Sequence, residues 1–385
     1  MVETANKLPL EVPRQVDVAA LEAELSALWR SAAEDPATRQ AVTRACTLTL
    51  LTYVESEEAG REVSNLISEA TQQTPFRAVI MIDEPQATPP GLRAWISAHC
   101  HLPTAGEKQV CCEEITVHAR GEAGRDLDNI VLPLTVPGLP VYLWWRAGRF
   151  SPPDYLEQIF RVTSRALVDS ARFPEPEKDL SGLAQAVKKY CGEVAFCDLN
   201  WTRITPWREL IAQCFDAVQT RPFLDRLTSV RIEYDRRSPR AVIHQCESLL
   251  LTGWLASRLS WQPSSASPEA PGESRRFLFR AGERTIEVHH AARSFEDQDS
   301  GVCISISLEA GGTPPAKFTL TRQSDGKVVN IHVDVAGRAI VERTVHLEVS
   351  SEIELISTEL KIGGRDRIYE EALHMVAQMT AAKAS

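Results

Sequence analysis

The 385-residue sequence lacks the short motifs by which many enzymes are recognised. No G-x-G-x-x-G follows an apolar run and no G-x-x-x-x-G-K-[S/T] occurs, so both common backbone cradles for phosphate are missing. His-Glu-x-x-His and G-x-S-x-G are missing too, which removes the usual zinc-protease helix and the nucleophile elbow. No apolar run approaches the roughly 20 residues of a membrane helix, so no membrane association is expected. The N-terminal MVETANKLPLEVPRQVD has no basic stretch followed by an apolar core, which predicts no secretory leader and a cytoplasmic location. Positive charge is in deficit: 42 Lys and Arg against 52 Asp and Glu give a formal net charge of -10. A phosphate backbone needs a basic face, so nucleic acid is an unsuitable partner. Neither an internal repeat nor a heptad run is present.

What is present is the composition of a globular protein, 43% hydrophobic and 24% charged. The length suffices for two domains with separate cores. Nine cysteines without a leader read as mostly reduced thiols. The triplet Asn200-Trp201-Thr202 matches a glycosylation sequon that a cytoplasmic chain would not use.

Periodicity divides the chain. Asp17–Ala33 carries Val18, Leu21, Leu25, Leu28 and Trp29 at helical spacing, with Asp17 as N-cap, and Glu57–Gln72 repeats that spacing. Between and after them, Cys46–Val54, Phe76–Ile82, Leu92–His101 and Gln109–Ala119 read as strands. An Asp126–Leu134 helix follows, then the turn Val136-Pro137-Gly138 and the run Val141–Trp145. That run is short, β-branched and aromatic, as in a strand buried on both faces. Its adjacent Trp144 and Trp145 then point to opposite layers. Helices are expected over Tyr155–Arg161, Leu180–Tyr190, Pro206–Phe215 and Ala241–Leu259, with extended segments at Ala166–Asp169 and Val230–Tyr234. Such alternation implies a largely parallel α/β sheet. The Ser/Pro/Ala/Glu-rich stretch from Gln262 reads as a linker. Beyond it, six segments between Arg276 and Val349 alternate apolar and polar with period two, Asp325-Gly326 marks a hairpin, and a helical pair broken at Gly363-Gly364 ends the chain. The expected fold is an α/β N-terminal domain with a largely parallel sheet, followed by a smaller α+β domain with an antiparallel sheet and C-terminal helices. The boundaries read as 1–261, a linker at 262–274, and 275–385.

Three clusters could carry chemistry, each with a structural alternative. His99-Cys100-His101 and Cys111-Cys112-Glu113-Glu114 hold metal-ligand types. Adjacent Cys111 and Cys112 point to opposite strand faces, however, so reduced structural thiols are the expectation. Trp201, Arg203, Trp207 and Arg208 are interface-type residues, and equally ordinary core and salt-bridge residues. Arg146 and Arg149 follow the tryptophan pair at the carboxyl end of a parallel strand, where α/β sheets bind ligands, or form salt bridges there. Anion binding through Arg146, Arg149 or Arg203 would make the chain an enzyme or sensor for a phosphorylated metabolite. Cys191 and Cys197 flank a turn at Gly192, where a bridge is sterically possible.

The blocks CCEEI (Cys111–Ile115), PLTVPGLPVYLWWR (Pro133–Arg146), LVDS (Leu167–Ser170) and DLNWTRITPWRELIAQCFD (Asp198–Asp216), with GGRDRIYEEAL at Gly363–Leu373, resemble the glucose-6-phosphate dehydrogenase assembly protein family, OpcA. The resemblance rests on Cys112, Glu113, Trp144, Trp145, Arg146, Asp169, Trp201, Arg203, Trp207 and Arg208 as family-motif or interface candidates. It implies a non-catalytic protein without cofactor or metal. Such a protein binds glucose-6-phosphate dehydrogenase, promotes its active oligomer and improves its use of glucose 6-phosphate in the oxidative pentose phosphate pathway. It also implies redox control involving thioredoxin in some members. The signature blocks of the dehydrogenase itself are absent.

Overall fold

The computed structural model describes residues 18–34, 43–44, 46–71, 74–101, 110–235, 241–267, 274–293, 303–323, 326–348 and 350–382. They form two compact units that interleave along the chain. The first comprises Met1–Val168, Tyr190–Cys197 and Glu352–Arg365; the second comprises Asp169–Lys189, Asp198–Ser351 and Asp366–Ser385.

The first unit is built on β1 (Thr43–Arg44), β2 (Thr49–Val54), β3 (Arg77–Glu84), β4 (Gly91–His101), β5 (Val110–Arg120), β6 (Val141–Trp145), β7 (Thr163–Val168) and β8 (Ala195–Asp198). Their order is β1-β5-β3-β2-β6-β7-β8, with β4 added antiparallel to β5. The pairs β1–β5, β3–β5, β2–β3, β2–β6 and β6–β7 are parallel, as the strand–helix alternation implies. Every residue of β2 is buried, the pattern of a strand covered on both faces. Helix Glu57–Ala70 covers one face through Val63, Ile67 and Ala70. Ser56 starts it by accepting from the Ala59 amide, and Glu57 and Glu58 favour its positive end. Helix Val18–Glu34 also forms; its expected cap, Asp17, lies outside the described residues.

Trp144 and Trp145 do pack into different layers. Trp145 stacks on Tyr53, its register partner on β2, at 4.2 Å between centroids and 10° between planes. Its indole donates to the Arg149 carbonyl at 2.8 Å. Trp144 is 1% exposed, and its indole N–H has no acceptor among the described residues.

The second unit carries β9 (Leu227–Asp235), β10 (Gln262–Ala266), β11 (Arg275–Ala281), β12 (Arg284–Arg293), β13 (Cys303–Ala310), β14 (Ala316–Arg322), β15 (Val328–Val335) and β16 (Arg338–His346), in the order β10-β11-β12-β9-β13-β14-β15-β16. Alternating burial in β11 and β14 fits the period-two pattern. Helix Ala241–Arg258 covers the apolar face, and helix Arg367–Ala381 packs against it. Gly253 permits that approach, since a Cβ there would collide with the Ala372 carbonyl.

Three expectations need correction. Gln262–Ala266 is a sheet strand, not linker, because it pairs in register with β11; residues 268–273 lie outside the described set. The units do not divide at 262–274, because β9, from before that stretch, is the central neighbour of β12 and β13. The expected antiparallel sheet itself forms, with β9–β12 as a parallel pair within it. The helical pair also separates: Glu352–Lys361 groups with the first unit and Arg367–Ala381 with the second. The expected hairpin at Asp325-Gly326 falls partly outside the described residues, although Gly326 itself has φ 68°.

Trp144→Ala should lower the unfolding free energy by roughly 3–5 kcal/mol, read as a fall in the urea midpoint. Trp144→Phe should lose clearly less, because it also removes an N–H buried without a partner. An alanine variant as stable as the parent would contradict this packing role.

Candidate functional site

In the first unit the candidate residues are paired internally. Cys112 is a buried free thiol, pushed up to about 11 by burial, so it is a poor nucleophile. Glu113 faces the other side of β5 and accepts from Arg77 Nε at 2.7 Å, both side chains 5% exposed. His99 Nε2 lies 2.9 Å from Glu114 Oε2, which occupies it with a carboxylate. Among the described residues no group of three His, Cys, Asp or Glu could hold a metal; the side chains of Cys100, His101 and Cys111 lie outside that set.

Arg146 is 7% exposed and held between two carboxylates, Nη1 to Glu62 at 3.0 Å and Nε to Glu352 at 3.2 Å. It is therefore a structural ion pair rather than a solvated one, and it is not open to an incoming anion. Near the carboxyl end of β3, Asp83 Oδ2 accepts from Tyr53 at 3.0 Å and Tyr155 at 2.5 Å. Burial and that carboxylate push both phenols up.

In the second unit the LVDS and DLNWTR blocks meet in one network. Asp198 is wholly buried; its Oδ1 accepts from the backbone amides of Ser170 and Asn200, both at 2.9 Å. Asn200 donates to Ser170 Oγ at 3.1 Å and accepts from Arg203 Nη1 at 2.9 Å. Arg203 closes the network as a fork on Asp169, at 3.2 and 3.1 Å. Trp201 is buried and donates to Asp366 Oδ2 at 2.8 Å; Asp366 also caps the last helix through the Tyr369 amide. Arg208 lies 3.6 Å over the Trp201 ring, and burial pulls its guanidinium down to about 10. Trp207 is 4% exposed, a core residue.

Of the sequence candidates, the structure thus brings Asp169, Trp201, Arg203 and Arg208 to one place, together with Asp198, Asn200, Asp366 and Tyr369, which were not singled out. Their signal lay in the quoted blocks: Asp198 opens DLNWTR, and Asp366 precedes RIYEEAL. With its carboxylates capping backbone amides and its guanidinium groups covering them, the network holds loops and helix starts in place. Its outer faces, Arg203 and Arg208, remain partly solvent-facing.

The bridge that the Gly192 turn would permit between Cys191 and Cys197 is not formed. Both are free; Cys191 is exposed and Cys197 is buried on β8, with burial pushing its thiol well up. Labelling with a thiol reagent under native conditions should modify Cys191 quickly, while Cys112, Cys197, Cys214 and Cys246 react only on unfolding. Peptide mapping showing early modification of Cys197 would refute its burial.

Burial, then the neighbouring Asp169 carboxylate, raise Asp198 to about 6 from 3.8. The folded state therefore keeps a proton that the unfolded chain has already released. The stability this provides is complete below about pH 4 and is lost as pH rises through 6. Asp198→Asn keeps an oxygen for both amides and cannot titrate. The parent should lose on the order of 2–3 kcal/mol relative to Asp198→Asn between pH 4 and 7. Parallel stability–pH curves would exclude this assignment.

Two family models match the chain in order. Residues 67–185 match the N-terminal domain of the glucose-6-phosphate dehydrogenase subunit family, and residues 194–373 match the C-terminal domain of that same family. The second match begins before β9, in keeping with the membership of that strand in the second sheet. The OxPP cycle protein OpcA of Synechocystis sp. is 30% identical over 293 residues, 74% of this chain and 60% of that protein. The OpcA of Nostoc punctiforme is 27% identical over 296 residues, 75% of this chain and 62% of that protein. The chain thus spans about 60% of the length of these two relatives. With both domain models matched in sequence over most of its length, the chain belongs to the OpcA family of glucose-6-phosphate dehydrogenase subunits.

Proposed function

We propose that the chain is a non-catalytic assembly factor that binds glucose-6-phosphate dehydrogenase, promotes its active oligomer and improves its use of glucose 6-phosphate. The observation that carries this reading is the ordered match to both domains of the family. The chemistry of the motif residues supports it. The buried Arg146 and the Arg203 fork are committed to carboxylates, and Cys112 is a buried, protonated thiol. The rival reading, a metabolite enzyme acting through Arg146 or Arg203, would have to break those pairs first.

Activation requires only that the active form of the dehydrogenase bind this chain better than the inactive form. A preference of about 1.4 kcal/mol shifts that equilibrium tenfold. The outer faces of Arg203 and Arg208 are the first places to look for the contact, because Arg is enriched among interface hot spots. Redox control through thioredoxin would act on accessible thiols, which among the described cysteines means Cys191 and the half-buried Cys46. A cytoplasmic location accompanies this reading.

The test is dehydrogenase activity at limiting glucose 6-phosphate, titrated with this chain, alongside size-exclusion of the mixed and separate proteins. A complex with lowered apparent KM or raised kcat is expected, with no turnover by the chain alone. Co-elution without any kinetic change would leave only a scaffold. No association under reducing or oxidising conditions would overturn the reading.

A further inference from the structure

In the first unit the sheet extends past the helix that covers it. Helix Glu57–Ala70 lies against β2 and β3, whereas β4 is added beyond β5 as an antiparallel edge. One face of β4 presents Arg93, Trp95 and Ser97, in register with His118, Thr116 and Glu114 of β5. Between this face and the helix lies a cleft of about 370 Å³, within the size range of small-molecule sites. Gly60 sets the helix close: a Cβ there would stand 2.6 Å from Ile82 Cδ1.

Much of the polar lining is satisfied within the protein. Glu114 accepts from Ser64 Oγ at 2.9 Å through one oxygen and faces His99 through the other. At the rim Arg61 pairs with Glu57 at 2.6 Å. The remainder is not satisfied. Arg93 has one hydrogen-bonding contact, Nη2 to His118 Nδ1 at 3.3 Å; among the described residues no carboxylate lies within 4 Å of it, and Glu57 at the rim feels its charge only at longer range. Thr116 is 3% exposed, yet its hydroxyl has no partner among the described residues; nor have the side chains of Ser97 and Asn65. Thr116, Ser97 and Asn65 line the cleft, so their polar groups are available to hydrogen-bond a ligand there. Trp95 supplies an apolar wall, held edge-on to His118.

We propose that this cleft binds a small polyhydroxylated anion, a phosphorylated or carboxylated sugar. The anionic group pairs with Arg93, hydroxyls meet Thr116, Ser97 and Asn65, and the C–H face of the carbon skeleton lies against Trp95. A neutral polyol would leave Arg93 without an anionic group in direct contact. An inorganic anion would leave the hydroxyl cluster and the indole unused. The site is distinct from Arg146 and Arg203, and it stands or falls independently of dehydrogenase binding.

The test is calorimetric titration of the full chain alone, without dehydrogenase, using ribose 5-phosphate and gluconate, with inorganic phosphate and sorbitol as controls. One of the two sugar anions should bind saturably, at least tenfold tighter than either control, and the better of the two identifies the anionic group. Arg93→Gln should weaken that ligand at least tenfold, and Thr116→Val, of similar shape but lacking the hydroxyl, severalfold. The melting temperature of each unliganded variant should stay near the parent's. No saturable binding of either sugar anion overturns the proposal. So does phosphate binding as tightly as the sugar, which marks a non-specific charge effect. Undiminished binding in either folded variant overturns it as well.

Discussion

A charge removed from water must find an opposite charge or a set of hydrogen bonds, at a cost of several kcal/mol if it does not. Each unit of this protein buries many charges, and most of them are matched by residues distant in sequence. In the first unit Arg77 meets Glu113, Arg146 meets Glu62 and Glu352, and Arg165 meets Glu359 at 2.5 Å. In the second, Asp169 meets Arg203, and Glu177 meets Arg275 at 2.8 Å. The Arg165–Glu359 pair joins positions 194 residues apart and is reinforced by a bond from Arg165 to the Gly364 carbonyl. Pairs of this kind explain why helix Glu352–Lys361, far along the chain, groups with the parallel sheet.

The same constraint decides which residues are available for function. Arginines beside a strand end or beside a tryptophan look like ligand hooks in a sequence. Here Arg146 and Arg203 are held by carboxylates, and Arg208 lies on the Trp201 ring. The motif blocks of the second unit accordingly build a rigid arrangement of caps: Asp169 holds the Ala171 amide, Asp198 those of Ser170 and Asn200, and Asp366 that of Tyr369. A surface that must present the same shape to a partner gains from such rigidity, because less ordering entropy is lost on association.

Much of the architecture was legible in the sequence, because it depends on local periodicity. The apolar run of β3, the helical spacing of Glu57–Ala70 and the alternation of β11 and β14 follow from side-chain direction alone. So does the placement of Trp144 and Trp145 in opposite layers, and Pro206 at the start of helix Thr205–Gln213. The family-motif blocks were equally legible, because their unusual residue types occur in a fixed order.

Partner choice across long separations was not legible. Whether Gln262–Ala266 is linker or strand depends on β11 offering it an edge, and a Ser/Pro-rich composition carries no record of that edge. The parallel β9–β12 pairing joins strands separated by a whole helix, so no turn signal announces it. Asp198 reads as one more acidic residue until burial removes its water and two amides replace it. Arg93 and Thr116 read as ordinary strand residues until the edge strand runs past its covering helix and leaves them facing a cleft. The sequence by itself determined the elements and the family, since both are properties of residues near one another in the chain. Tertiary structure decided which charges are satisfied and which polar groups stay open, since those depend on residues that only folding brings together.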